Sequence, residues 1–249
     1  MLPVGVPWST LHLLVPVVES GFLLGGIGMY VASRRVAPAE RKARKLKFFS
    51  YFIITHAMLL CAFSGVAAFF PLLVVLLAAG FGELIAAARH RRRMFRSTVA
   101  AFVVYGVSAA GALYYVLHTA PARIAYLYLI VCVLDAYSQI VGQFIGRHPL
   151  APAISPAKTV EGAVGGTVAA MIAALICREL AGYSPLYSIL WGGMAAGVGI
   201  LADLAASKYK RLCSIRDYSM LLPGQGGVVD RFNSFFAVTG LSGWLAIVF

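Results

Sequence analysis

The chain has 249 residues, of which 61% are hydrophobic and only 12% charged. A soluble domain carries about 25% charged residues, so this chain has too few to cover a water-facing surface, and lipid must be the solvent for most of it. The formal charge is +12, from 21 Lys and Arg against 9 Asp and Glu, but the basic residues lie between apolar runs, so membrane topology accounts for them and no nucleic acid is expected as a partner.

A helix needs about 20 apolar residues to cross the hydrocarbon core. That rule predicts an all-α, polytopic transmembrane helix bundle of about eight spans, with seven or nine as alternatives. The predicted spans are 9–33, 48–66, 68–88, 98–117, 122–145, 160–181, 185–206 and 232–249. The first has no basic residue before it and ends in Arg34-Arg35, the reverse of a secretory signal, so it reads as a retained helix. A turn near Ser64, Gly65 and Pro71 separates the second and third. Basic residues concentrate in alternate loops. Arg34, Arg35, Arg41, Lys42, Arg44, Lys45 and Lys47 follow the first span, and Arg89, Arg91, Arg92, Arg93 and Arg96 follow the third. Arg147 and Lys158 follow the fifth; Lys208, Lys210, Arg211, Arg216 and Arg231 follow the seventh. Only Arg123 and Arg178 fall on the opposite side. The bias places these loops in the cytoplasm and both termini outside.

The loops differ in kind. Residues 34–47 and 89–96 are charge runs that serve topology and meet anionic lipid. Residues 146–159 and 207–231 mix Pro, Gly, Ser, Asp and Lys, the composition of turns with defined geometry. All four aspartates, Asp135, Asp203, Asp217 and Asp230, lie in the second half. An ionised aspartate at the bilayer centre costs about 2.5–3.5 kcal/mol, so Asp135 and Asp203 are expected to face protein or a wet cavity. Two readings of the four stay open: ion pairs that close the bundle, or a Mg²⁺ site that also takes substrate phosphates. Glu19 and Glu83 read as interhelical contacts. Glu161 either orients Lys158 or caps a helix. Cys61, Cys132, Cys177 and Cys213 form no CxxC or Cys/His ligand pattern, and the five histidines have no ligand spacing.

Residues 207–234 read SKYKRLCSIRDYSMLLPGQGGVVDRFNS. Ser207, Lys210, Arg211, Asp217, Pro223, Gly224, Gly226, Gly227, Asp230, Arg231 and Ser234 resemble, in order and spacing, the signature of the phosphatidate cytidylyltransferase (CDP-diacylglycerol synthase) family. Asp203 matches its lead-in. An upstream block strengthens the resemblance: Asp135, Gly142, Gly146, Pro152, Ser155, Pro156, Lys158, Thr159, Glu161, Gly162, Gly165 and Gly166. The matches fall in the second half, so the chain divides into N-terminal helices without a recognised motif (1–120) and a C-terminal catalytic region (121–249). Gln225 stands where the family has His, Asn233 where it has the final Asp, and Arg216 where it has Lys. Ser138 and Gln139 replace a common Ala-Tyr pair. Gln225 cannot carry a proton at neutral pH, and Asn233 removes a negative charge.

The resemblance implies transfer of CMP from CTP to phosphatidic acid at the bilayer, giving CDP-diacylglycerol and pyrophosphate, with Mg²⁺ and room for a second cation. It implies an integral protein of the cell (inner) membrane whose active site faces the cytoplasm, and a homodimer is allowed. Asp217, Asp230, Lys210, Arg211 and Arg231 are the expected catalytic group. Asp217, Asp230, Asp203 and Asp135 are the expected metal ligands. Ser155, Lys158, Thr159, Ser207, Gly224, Gln225, Gly226 and Gly227 are the expected substrate contacts. The alternatives are a CTP-dependent polyprenol or phytol kinase, an ether-lipid cytidylyltransferase, and a non-catalytic lipid-binding or transport protein.

Overall fold

The structure is a computed structural model that describes residues 8–34, 36–90 and 95–248. Arg35, Arg91, Arg92 and Arg93 of the basic loops lie outside the described residues. In chain order the helices are α1 (Trp8–Ser33), α2 (Pro38–Phe63), α3 (Val66–Arg89), α4 (Phe95–His118) and α5 (Pro121–Ile145). There follow a hairpin of β1 (Pro149–Ala151) and β2 (Ser155–Thr159), then α6 (Val160–Ile176), α7 (Arg178–Ala181), α8 (Pro185–Leu212) and α9 (Val228–Val248). Of these, α2, α3, α4, α5 and α8 are long and apolar enough to cross a membrane. The chain is an integral membrane protein.

Local sequence explains most of the element ends. Pro38, Pro121 and Pro185 open α2, α5 and α8, where the missing N–H costs nothing. Thr159 caps α6 by accepting from the Gly162 amide at 3.1 Å. Gly65, with φ of 101°, makes the break between α2 and α3. Pro71, expected at that break, stays inside α3 instead.

Three features differ from the sequence expectation. The basic run before the second span is helical, because Lys and Arg are good helix formers and α2 continues out of the apolar layer. An i,i+4 pair, Arg44 to Glu40 at 2.6 Å, supports that extension. Helix α8 likewise runs on to Leu212, so Ser207, Lys210 and Arg211 are helical rather than loop residues. The fold is all-α in its architecture, as expected, with one short addition: residues 149–159 pair as an antiparallel hairpin, Pro149 opposite Thr159 and Ala151 opposite Ser155.

Helix α5 is the centre of the bundle. Ile124, Tyr126, Leu127, Tyr128 and Ile130 are fully buried, and Tyr128 meets Phe235 edge-on at 5.4 Å. It packs on α2, α6, α8 and α9. Lipid tails are as apolar as leucine, so close packing rather than water exclusion holds such helices together. Glycines permit it. A Cβ on Gly243 would overlap the Gly111 carbonyl where α9 crosses α4. Gly192 rests against Ala174 and Met171 of α6, and Gly199 against Leu134 and Ser234, so these two α8 glycines serve internal packing. The N-terminal helices interleave with the C-terminal ones, α2 on α5 and α4 on α9.

Candidate active site

The site forms where α9 begins. Consecutive helical residues point in different directions, so Asp230 and Arg231 serve two separate groups of side chains.

Arg231 turns toward α5. Its Nη1 meets Asp135 Oδ2 at 2.9 Å, and its Nη2 lies 3.8 Å from Cys132 Sγ. The guanidinium lies over the Tyr51 ring, 4.4 Å from the centroid. Tyr51 is fixed in turn by donating to the Cys132 carbonyl at 3.2 Å. Asp203 of α8 is within electrostatic range of Asp135. It pairs with Lys158 Nζ from β2, and Asn233 Nδ2 approaches its other oxygen at 3.5 Å. Five elements thus converge here, two carboxylates facing two cations. The hairpin is what delivers Lys158.

Asp230 turns the other way, toward α8 and the loop before α9. Lys210 Nζ donates to Oδ1 at 2.6 Å. The amides of Tyr218 and Gly227 donate to Oδ2 at 2.7 and 2.9 Å. Asp230 therefore orders the loop. Tyr218 donates its hydroxyl to the Ala206 carbonyl at 3.1 Å. Burial, then the Asp230 carboxylate, pushes that phenol well up from its ordinary value, so it stays a protonated donor at any working pH.

The glycine-rich turn is tied to the N-terminal half. Leu222 and Gly226 bridge, with Leu222 N donating to Gly226 O at 2.8 Å. Gly224 and Gly226 take φ of 72° and 85°, which only glycine adopts without cost. Gln225 Nε2 donates to the Lys47 carbonyl at 2.8 Å. In this structure Gln225 is an anchor between the turn and α2.

The other expected residues lie around these groups. Arg211 Nε donates to the Ile154 carbonyl at 3.2 Å and so clamps the hairpin turn to α8. Ser207 is buried on α8, and Ser155 is half-buried on β2. Asp217 is the exposed carboxylate of the loop, with Arg216 Nε 3.9 Å away. Glu161 neither orients Lys158 nor stands only as a cap. Its carboxylate receives the Arg147 and His148 amides at 3.0 and 3.2 Å and the His148 ring at 2.6 Å.

Glu83 carries more than the interhelical contact expected of it. Its buried carboxylate accepts the Val228 and Val229 amides at 2.9 and 2.8 Å and the Ser219 hydroxyl at 2.5 Å. These amides are the unsatisfied donors of the α9 N-terminus. A carboxylate inside an apolar helix was the signal that marked it. Glu83→Gln keeps one acceptor oxygen for two amides and should cost about 1–3 kcal/mol, read as a lowered thermal midpoint in detergent. An unchanged midpoint would contradict this capping role.

The donor set bears on a divalent cation. Among the described residues, no three His, Cys, Asp or Glu side chains gather as a cation cage. Mg²⁺ commonly needs only one or two carboxylates plus substrate phosphates. Asp135 and Asp203, with side chains 30% and 36% exposed, fit that demand better than Asp230, which is 6% exposed.

The model of the cytidylyltransferase family matches residues 35–248. A Staphylococcus aureus phosphatidate cytidylyltransferase is 34% identical over 126 residues, 50% of this chain and 48% of that protein. The Staphylococcus epidermidis and Staphylococcus haemolyticus phosphatidate cytidylyltransferases are 33% and 32% identical over 129 and 126 residues, each with the same coverage. The chain spans about half the length of the curated relatives it matches. Because the family match runs through nearly all the described helices, hairpin and site residues, this chain belongs to the cytidylyltransferase family.

Proposed function

We propose that the chain transfers CMP from CTP to phosphatidic acid, releasing pyrophosphate and leaving CDP-diacylglycerol in the bilayer. The observation that carries this reading is the convergence of Asp135, Asp203, Lys158 and Arg231 at the start of α9. Alternating carboxylates and cations suit a reaction between two polyanions.

A lipid phosphate oxygen attacks the α-phosphorus of CTP. A P–O bond forms there, and the bond from the α-phosphorus to the bridging oxygen breaks with departure of pyrophosphate. The nucleophile is already anionic at neutral pH, so no side chain need take its proton, and Gln225 in place of His is compatible with turnover. Lys158, at the membrane-side hairpin, holds the lipid phosphate with Ser155 and Thr159 beside it. Arg231 offsets charge on the triphosphate, and Lys210 and Arg211 keep the loop and hairpin in place around it. Asp135 and Asp203 would hold Mg²⁺, which supplies neutralisation of phosphate charge when bound. Asp230 is assigned to ordering the glycine turn, whose Gln225, Gly226 and Gly227 amides all donate within the protein. Asp217, the exposed carboxylate of the loop, would help to hold a second cation.

We take α1, α6 and α9 as spans beside the five longer apolar helices, eight in all, with both termini outside and the site at the cytoplasmic face of the inner membrane, where CTP arrives. The basic-residue bias supports that orientation. The test is release of pyrophosphate from CTP by the purified chain in detergent, dependent on phosphatidic acid. Release of CDP with a polyprenol or phytol acceptor would make it a kinase. Asn233→Asp adds a carboxylate beside Asp203 and should lower the Mg²⁺ concentration needed for half-maximal turnover. An unchanged requirement would remove Asn233 from the cation site.

A further inference from the structure

A second group of cations lies at the junction of α1 and α2, apart from the residues assigned above. Met29, Tyr30, Ser33, Arg34, Arg41 and Lys45 line a cavity of about 280 Å³ there. Among the described residues, Arg34, Arg41 and Lys45 have no carboxylate within ion-pair distance. Their neighbour Arg44 is already matched to Glu40 at 2.6 Å. Arg41 Nε donates to the Ser33 carbonyl at 3.0 Å, which holds the guanidinium at the cavity wall. The Arg34 guanidinium lies over the Tyr30 ring at 5.9 Å.

A second observation points to a ligand. Ser33 is 3% exposed, yet its hydroxyl has no hydrogen-bond partner among the described residues. A buried hydroxyl at the wall of this cavity lacks an acceptor among the described residues, and an anionic oxygen would supply one. Met29 and Tyr30 add an apolar and aromatic part to the lining. The junction joins two apolar helices by a basic turn, so it falls at the membrane surface, where tyrosine side chains favour the headgroup level.

We propose that this cavity binds the phosphate group of an anionic lipid, with Arg34, Arg41, Lys45 and the Ser33 hydroxyl on the phosphate and Met29 and Tyr30 on the glycerol and acyl stem. The site reads a single headgroup, in contrast to a charge run that acts by diffuse attraction. It does not depend on the reaction proposed above.

The test is native mass spectrometry of the full chain in detergent with phosphatidylglycerol or phosphatidylcholine as probe. Phosphatidylglycerol carries a phosphodiester and is not the proposed substrate, so loss of turnover and loss of this site are separable. Wild type is expected to retain phosphatidylglycerol in preference to phosphatidylcholine. Each basic residue near a membrane surface contributes about 1 kcal/mol toward anionic lipid, so Arg41→Ala with Lys45→Ala should weaken retention roughly 30-fold. Lys42→Ala with Arg44→Ala removes the same charge from the same helix outside the cavity and should leave retention unchanged. Equal loss in both double variants would overturn the proposal. Inorganic phosphate should compete poorly, since it gains nothing from Met29 and Tyr30; competition as tight as the lipid would overturn the lipid as its source. If Arg41→Ala impairs folding, Arg34→Ala with Lys45→Ala carries the same comparison, because neither side chain donates a hydrogen bond among the described residues.

Discussion

Arg231→Ala is expected to destabilise the bundle and abolish turnover together. The guanidinium is 10% exposed and joins α9 to Asp135 on α5 while lying over Tyr51 on α2. Removing one partner of a fully buried pair typically costs about 3–5 kcal/mol, and Asp135, the charge left behind, is 30% exposed, so the cost here should fall below that range. Three helices lose a shared anchor, so the thermal midpoint in detergent should fall by many degrees. Arg231→Ala combined with Asp135→Ala removes both charges and should recover much of the stability without recovering turnover. Recovered stability would show that the unpaired charge sets the stability effect, while turnover stays lost because Asp135 is itself a proposed Mg²⁺ ligand. A double variant no more stable than the single would show that the pair itself does not carry the effect.

Asp203→Ala should behave in the opposite way, with the fold kept and activity lost. Its carboxylate is 36% exposed, and its partner Lys158 is 26% exposed. Solvent screens such a pair, whose net contribution to stability is about 0–1 kcal/mol. The expected loss of turnover is about 10²–10³-fold, the usual effect of deleting one preorganised electrostatic group. Asp203→Asn keeps the shape and should lose nearly as much, because charge is what the site requires. Turnover near wild type in both variants would remove Asp203 from the proposed cation site.

The apolar segments were legible in the sequence because crossing a membrane demands a long, uninterrupted apolar run. Their ends were not. Arg41 to Lys47 and Ser207 to Leu212 look like loop residues by polarity, yet helical hydrogen bonding carries on past the apolar layer at both places. The hairpin was hidden because a three-residue strand leaves too little alternation to detect. It matters to function, since it brings Lys158 to Asp203.

The site residues were legible as types and spacings, and their partners were not. Nothing in the spacing says that Arg231 meets Asp135 while its neighbour Asp230 meets Lys210. Helix phase at the start of α9 decides that. The expectation that all four aspartates serve one metal site came from placing Asp135 and Asp203 near the same ends of two spans, with Asp217 and Asp230 in the loop that follows. The placement distinguishes them: Asp135 and Asp203 are partly open, Asp230 is enclosed by two amides and a lysine, and Asp217 is exposed. Glu83, Lys47 and Tyr51 lie in the half that carries no motif, and each touches the signature region. The N-terminal helices are therefore part of how this site is built.

The reaction itself is tested most directly by following the two ends of CTP separately. With CTP labelled at the α-phosphorus, label should enter the organic-extractable lipid when phosphatidic acid and Mg²⁺ are present. With CTP labelled at the γ-phosphorus, it should appear only in soluble pyrophosphate. Lipid that takes up the γ-label, or takes up neither, would contradict transfer of CMP by this chain.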